Sequence, residues 1–439
     1  MNTDLQAVRD PLWGHIYLSK AFYNITLSAP FMRLHRIMQL GPCHYTYPGA
    51  THTRASHSLG VYYLGRRILE RLLDAGAKEW VSDEGSASFL AACLLHDVGH
   101  FPYTHSLKEF EYAGRGSGFP PFRTHEDLSA ELVLNEPLYS LLKEAGAVPE
   151  MVAAIIYPAA STPHPAKCST FRIYPAKGEE NCKLGYPPPL AGGVGGGVPK
   201  ELTFYQKILS GPLDPDKLDY LNRDAYFCGV PYGAQDVDFI LGRLFPSPER
   251  GVDIDSRGII SMETLLFSKY LMYRSVYWHK NVRSATAMLK KAIWQGLVAG
   301  KISPESLYNL DDAGLIKLLS PLSPFPQMIV EGKLYQAVLE TPFDAEKHQF
   351  LLDLEQRSAL EKKLGEENGG NELIIDIPES ISFENTLFIN DENTWFPGKT
   401  GVFTNDVVQG FSRNLRVIRV FAEEKTFHPC KISEKELYL

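Results

Sequence analysis

Cys93-Leu94-Leu95-His96-Asp97-Val98-Gly99-His100-Phe101-Pro102-Tyr103-Thr104-His105 is the stretch around which the chain is organised. The residues leading into it, Phe89 to Leu95, are apolar on almost every side, the pattern of a helix inside a domain core. A histidine and an aspartate follow directly, then Gly99 and two further histidines. An imidazole and a carboxylate at the end of a core helix are costly to bury unless each is paired or bound to a metal. A cation satisfies both, because imidazole nitrogen and carboxylate oxygen are ordinary ligands of borderline and hard ions. Taken alone, a His-Asp pair is more often a packed histidine beside a capping aspartate, so the rest of the chain decides.

Upstream, a helix from about Arg54 to Leu73 carries the apolar stripe Val61, Leu64, Ile68 and Leu72. His57 lies four residues before Val61, on the buried face one turn ahead of the stripe. Phe31, Leu34 and Ile37/Met38 have helical spacing, with Arg33 and Arg36 on the opposite side. Residues 1–30 mix turn signals with short apolar pieces, and 41–50 read as a loop.

Downstream, Thr124 and Asp127 resemble a capping box ahead of a short apolar helix, which leaves His125 unexplained. Residues 158–199 are rich in proline and glycine and read as a mobile insertion. A helix opening at Pro215 places Asp216, Tyr220 and Asp224 on one face, with Lys217 at its edge. Leu218, Leu221 and Tyr226 are expected to bury it. Residues 262–298 predict a long helix or a pair of helices, and after about 341 short alternating runs predict strands around a 349–364 helix. The expected architecture is mainly α: a helical core over 1–340 with a smaller α+β region over 341–439.

Composition narrows the class. The 439 residues are 44% hydrophobic and 22% charged, as in a globular protein. No apolar run approaches the ~20 residues needed to span a bilayer, and the amino terminus has no secretory pattern, so a cytoplasmic location is expected. A net charge of −8 makes nucleic acid an unexpected partner, although a local basic pocket for phosphate is compatible with it. The six cysteines form no C-x-x-C pair, which argues against a cysteine zinc site. Cys168 and Cys182 are expected to stay reduced.

His57, the His96-Asp97 pair and Asp216 are thus placed on separate helices of one core, able to converge on one cation. The motifs Asp10-Pro-Leu-Trp-Gly-His-Ile16, Tyr47-Pro-Gly-Ala-Thr-His52, His57-Ser-Leu-Gly-Val61, His96-Asp-Val-Gly-His100, Thr124-His-Glu126 and Asp216-Lys-Leu-Asp-Tyr220 follow in that order. In this order they resemble the HD-domain deoxynucleoside triphosphate triphosphohydrolases, over roughly residues 8–300.

That resemblance implies an HD-domain helical core with His57, His96, Asp97 and Asp216 as metal ligands. It implies one divalent transition metal (Fe, Mn, Zn, Co or Ni), with Mg accompanying the triphosphate. His100, His105 and His125 match the histidines at the α-phosphate and leaving oxygen. Arg54, Lys217 and Lys269 match phosphate-holding positions, and Gln39, Tyr220, Asp224 and Tyr277 match positions around sugar and base. The implied partners are a deoxynucleoside triphosphate and further copies of the chain, as a dimer or tetramer.

Two departures stand out. Lys108 replaces an acidic member of the family's proton relay, so Glu109 or Glu111 is expected in its place. Leu27, Met32 and His35 replace the polar side chains that bind an activating guanine nucleotide, so activation by that route is not expected. A phosphohydrolase of nucleoside monophosphates or other phosphate esters, and a non-catalytic nucleotide-binding regulator, are the alternatives.

Overall fold

The computed structural model describes residues 5–103, 109–110, 122–158, 200–423 and 432–438. The expected insertion, apart from Pro158, lies outside them, as do Cys168, Cys182, His105, Lys108 and Glu111.

Strands β1 (Leu5–Asp10) and β2 (Gly14–Ser19) open the chain as an antiparallel hairpin. Ile16 and Leu18 of β2 point inward and Tyr17 outward, the two-residue period of a half-buried strand. Helices α1 (Lys20–Thr26) and α2 (Ala29–Leu34) follow, the second ending before Ile37 and Met38, which their spacing places on the same helix. Arg33 corrects the expectation that it faces away from the core. It is buried, and its guanidinium donates to the carbonyls of Val98 at 2.7 Å, His100 at 3.0 Å and Leu310 at 2.6 Å. The tight turn after Asp97 leaves carbonyls inside the protein that need donors, and Arg33 supplies them.

The centre is α3 (Arg54–Asp74) packed against α4 (Asp83–Leu95). Ser82 caps α4 by accepting from Gly85 N at 2.9 Å. Phe89 and the run Ala91 to Leu95 are fully buried, as expected of the core helix. Around this pair stand α5 (His125–Val133), α6 (Leu138–Glu144), α7 (Pro149–Ile156) and α8 (Lys200–Leu209). Thr124 caps α5 through Asp127 N, 3.2 Å away.

Helix α9 (Pro215–Cys228) lies directly on α3. Asp214 caps it, and Gly229 at φ +67° ends it with Val230 N bonded to Ala225 O at 3.0 Å. Leu218 and Leu221 are buried, but Tyr226 is 57% exposed and does not serve the burial expected of it. The close approach depends on Gly60, where a Cβ would come within 1.9 Å of Asp219 Oδ1.

After α10 (Val237–Gly242) and the hairpin β3 (Leu244–Ser247) and β4 (Gly251–Ile254) come two long helices, α11 (Ile259–Met272) and α12 (Lys280–Val298). They are joined through a π-helical turn, Tyr273–Tyr277, a distortion common at functional sites.

The remaining chain forms α13 (Asp312–Leu319), α14 (Phe325–Val330), β5 (Gln336–Pro342), α15 (Ala345–His348) and α16 (Leu354–Glu367). Then come β6 (Leu373–Asp376), β7 (Phe388–Ile389), β8 (Thr394–Trp395), α17 (Asn405–Leu415) and β9 (Val417–Ala422). β5, β9 and β6 form an antiparallel sheet in that order, while β7 pairs in parallel with β4 of the preceding core. The fold is mainly α-helical with a smaller strand-containing carboxy-terminal region. Among the described residues no helix is long and apolar enough to cross a membrane.

Candidate metal centre

Three helices deliver the four expected ligands to one point: α3 brings His57, the end of α4 brings His96 and Asp97, and α9 brings Asp216. His57 Nε2 lies 3.0 Å from Asp216 Oδ1 and 4.0 Å from Asp97 Oδ2. His96 Nε2 lies 3.6 Å from Asp97 Oδ1 and 3.8 Å from Asp216 Oδ1. Ligand atoms of His57, His96 and Asp97 all fall within 4.8 Å of one another.

The imidazoles are turned the way a cation requires. His96 Nδ1 is 3.0 Å from Cys93 O, His100 Nδ1 is 3.0 Å from Phe101 O, and His57 Nδ1 is 2.8 Å from Asp219 Oδ2. With Nδ1 engaged in this way, His57 and His96 turn Nε2 toward the Asp97 and Asp216 carboxylates, where a cation would be held. Among the described residues His96 Nε2 is buried with no hydrogen-bond partner, an orphaned acceptor that a cation would satisfy. The donor set therefore fits a divalent metal.

Electrostatics agree. Burial alone would raise the Asp97 pKa, but Arg54 and the imidazoles of His96, His100 and His57 outweigh it and hold the carboxyl well below its usual range. Burial opposes charge on His57 as well, yet hydrogen bonds to Asp216 and Asp219 push its pKa up to about 10. A cation on Nε2 would have to displace that proton.

Behind His57 stands a buried network of residues to which the sequence pattern assigns no role. Arg223 binds Asp219 through Nε at 2.7 Å and Nη2 at 2.9 Å, and Asp10 Oδ2 through Nη1 at 2.8 Å. Trp13 Nε1 donates to Asp219 Oδ1 at 2.5 Å. Burial raises the Asp219 pKa, but Arg223 and His57 bring it to about 2. The available signal was Asp219 and Arg223 at i and i+4 on an apolar helix, a charged pair that burial obliges to be matched.

A second group, Asp97, His100 and His125, also has ligand atoms within 4.8 Å of one another, with the two rings 4.6 Å apart. Arg54 is buried and paired to Asp97 Oδ2. The proposed relay substitute Glu109 is committed elsewhere: it is buried between Lys290 Nζ at 3.1 Å and Arg357 Nη2 at 2.5 Å. Those two cations offset the cost of burial and draw its pKa down to about 2.

On the other side, Asp224 accepts from Tyr277 OH at 2.7 Å through one oxygen and lies 2.7 Å from His52 Nε2 through the other. The Tyr220 and Tyr277 rings are 6.4 Å apart, and Gln39 N bonds to His52 O at 2.9 Å. His52 is a further residue given no role from sequence. Lys217 Nζ contacts Asp214 Oδ2 at 2.6 Å and Glu384 Oε2 at 2.7 Å, while Lys269 Nζ donates to Ser382 O at 2.8 Å. Burial and the neighbouring Lys217 push the Lys269 pKa down to about 8.

Residues 54–165 match the HD domain and residues 246–394 the HD associated region. An uncharacterized protein of Bacillus subtilis is 31% identical over 329 residues, 74% of this chain; the chain spans 61% of that relative's length. The deoxynucleoside triphosphate triphosphohydrolase SAMHD1 of Bos taurus is 29% identical over 240 residues, 52% of this chain and 36% of its own. A phosphohydrolase of Bacteroides thetaiotaomicron shares the fold at a TM-score of 0.67 and 22% identity, over 96% of this chain and all of that one.

Helical core, clustered imidazoles and carboxylates, and the two matched regions identify an HD domain followed by an HD associated region, with a His/Asp group that could hold a metal ion. Within that class the chain resembles the HD-domain phosphohydrolases.

Proposed function

We propose that the chain hydrolyses deoxynucleoside triphosphates to a deoxynucleoside and tripolyphosphate. The observation that carries this reading is the convergence of His57, His96, Asp97 and Asp216, with Arg54 paired to Asp97, Lys217 and Lys269 on the helices nearby, and Tyr277 bonded to Asp224. Resemblance to SAMHD1, named for that activity, supports it.

His57, His96, Asp97 and Asp216 would hold a divalent transition metal, which when bound would supply Lewis acidity to the phosphoryl group and lower the pKa of a water. Water adds to the α-phosphorus, the bond to the 5′ oxygen breaks, and that oxygen takes a proton. His125 or His100 donates the proton, since imidazole exchanges protons near neutral pH. Arg54, Lys217 and Lys269 neutralise the departing tripolyphosphate, with Mg as its companion ion. Asp224 and Tyr277 hold the sugar's 3′-hydroxyl beside Tyr220, and Gln39 borders the sugar. Assembly as a dimer or tetramer, in the cytoplasm, belongs to the same proposal.

The test is a panel of deoxynucleotides and ribonucleotides with the purified, metal-analysed protein, product identified by chromatography. Tripolyphosphate release, abolished in a His96→Ala/Asp97→Ala variant, is expected; no turnover with Mn, Mg, Fe or Zn supplied would reject it. A second reading, hydrolysis of a phosphate monoester, is favoured by one observation: Lys217 and Lys269 already have partners within the chain. It predicts phosphate release from monophosphates instead.

A further inference from the structure

Lys217, in the first turn of α9, and Lys269, in the last turn of α11, meet the same irregular segment, residues 377–387 between β6 and β7. Phe383 is buried against Phe411, with ring centroids 5.8 Å apart, and anchors the segment. On one side of that anchor Ser382 O accepts from Lys269 Nζ at 2.8 Å, and the ammonium lies 5.5 Å from the Phe383 ring centroid. On the other side Glu384 Oε2 reaches Lys217 Nζ at 2.7 Å.

The Lys217 side chain is 11% exposed and that of Glu384 40%, so a half-exposed carboxylate side chain reaches a nearly buried lysine. Asp214, on the inner side of Lys217, is 2% exposed and caps α9, which gives it a structural duty. Glu384 has no such duty within a helix or strand. Its carboxylate presents to an ammonium the same charge and acceptor geometry as a phosphate oxygen.

We propose that Glu384 is an internal occupant of the phosphate-binding pocket and sets its selectivity, standing on Lys217 where a phosphate of the substrate's polyphosphate chain binds. This rests on the reading of Lys217 and Lys269 as phosphate-holding residues. A ligand with one phosphate carries too little charge to displace Glu384, whereas a polyphosphate chain displaces it by outbidding a single carboxylate. The segment then moves about the Phe383 anchor, and Lys269 exchanges the Ser382 carbonyl for a phosphate oxygen.

The probe is inorganic tripolyphosphate, with inorganic phosphate in parallel, titrated calorimetrically into the metal-loaded full chain at fixed Mg²⁺. Glu384→Gln keeps the side chain's size and removes its charge. It is expected to bind tripolyphosphate roughly fivefold more tightly, the scale of one partly exposed ion pair, and to gain measurable affinity for inorganic phosphate. Lys217→Gln is expected to weaken tripolyphosphate, and Glu384→Gln added to Lys217→Gln to change nothing further. Unchanged or weaker binding by Glu384→Gln, with Lys217→Gln impaired, would overturn the role of Glu384 while leaving the pocket intact. Undiminished binding by Lys217→Gln would remove the phosphate pocket itself and this proposal with it.

Discussion

His57 Nδ1 lies 2.8 Å from Asp219 Oδ2, so an imidazole on α3 takes its orientation from a carboxylate one turn beyond Asp216 on α9. Asp219 is fully buried and is itself held by Arg223 and Trp13. The helix that carries Asp216 thus also aims His57, and the amino-terminal Asp10–Trp13 turn supports the pair through Asp219 and Arg223.

Asp219→Asn is expected to lower metal affinity about 10- to 100-fold, the usual effect of losing such a support, as measured by chelator competition. Asp219→Ala also takes a carboxylate from Arg223 inside the core. It is expected to cost about 3–5 kcal/mol in denaturant unfolding.

Gly60→Ala places a methyl group within 1.9 Å of Asp219 Oδ1 and 2.5 Å of Arg223 Nη2. Neither partner can yield without breaking the network, so the packing of α3 on α9 must open. A loss of about 1–3 kcal/mol is expected, together with reduced metal content in the purified protein. Full stability and full metal loading would show that the two helices separate at no cost.

Lys269 yields a pH prediction. Its pKa is about 8 in the folded chain against an ordinary 10.5. Between these values the unfolded chain binds more protons, so the Lys269 contribution to stability rises with pH from about 8 to 10.5. Below 8 both states are protonated and the full penalty of the buried charge applies. Lys269→Met is expected to be more stable than the parent at pH 7 and to lose this part of the slope, as read from melting temperatures across pH 7 to 10. An identical slope in both proteins would assign the titration to another group.

Glu109 is held by Lys290 and Arg357, not directed to His100 and His125. Glu109→Gln leaves two buried cations with less charge to answer them, and about 3–5 kcal/mol of stability is expected to go. On the proposed reaction the pH–rate profile of the surviving enzyme keeps its shape. A displaced acidic limb would return Glu109 to the proton relay.

Much of the centre is legible in the sequence because it follows from local pattern. The apolar run before His96, the stripe behind His57, and the spacing of Asp216, Tyr220 and Asp224 depend only on helical period and the cost of burying polar groups. The amino-terminal hairpin is harder to read, since Ile16 and Leu18 alternate over a span too short to outweigh the surrounding turn signals. Arg33 misleads for a different reason. Helical spacing assigns it to water, but the carbonyls it satisfies belong to Val98, His100 and Leu310, distant in the chain.

Local pattern along the chain is enough to place imidazoles and carboxylates at the ends and faces of buried helices in a helical core. Which oxygen meets which nitrogen follows from the packing of distant segments: Asp219 with His57, Asp10 with Arg223, Glu384 with Lys217, and Glu109 with Lys290 and Arg357. Periodicity reports which side of a helix is buried, because that depends on near neighbours in the chain. Charge pairing depends on distances of a few ångströms between segments that only folding brings together, and those distances have no local signature.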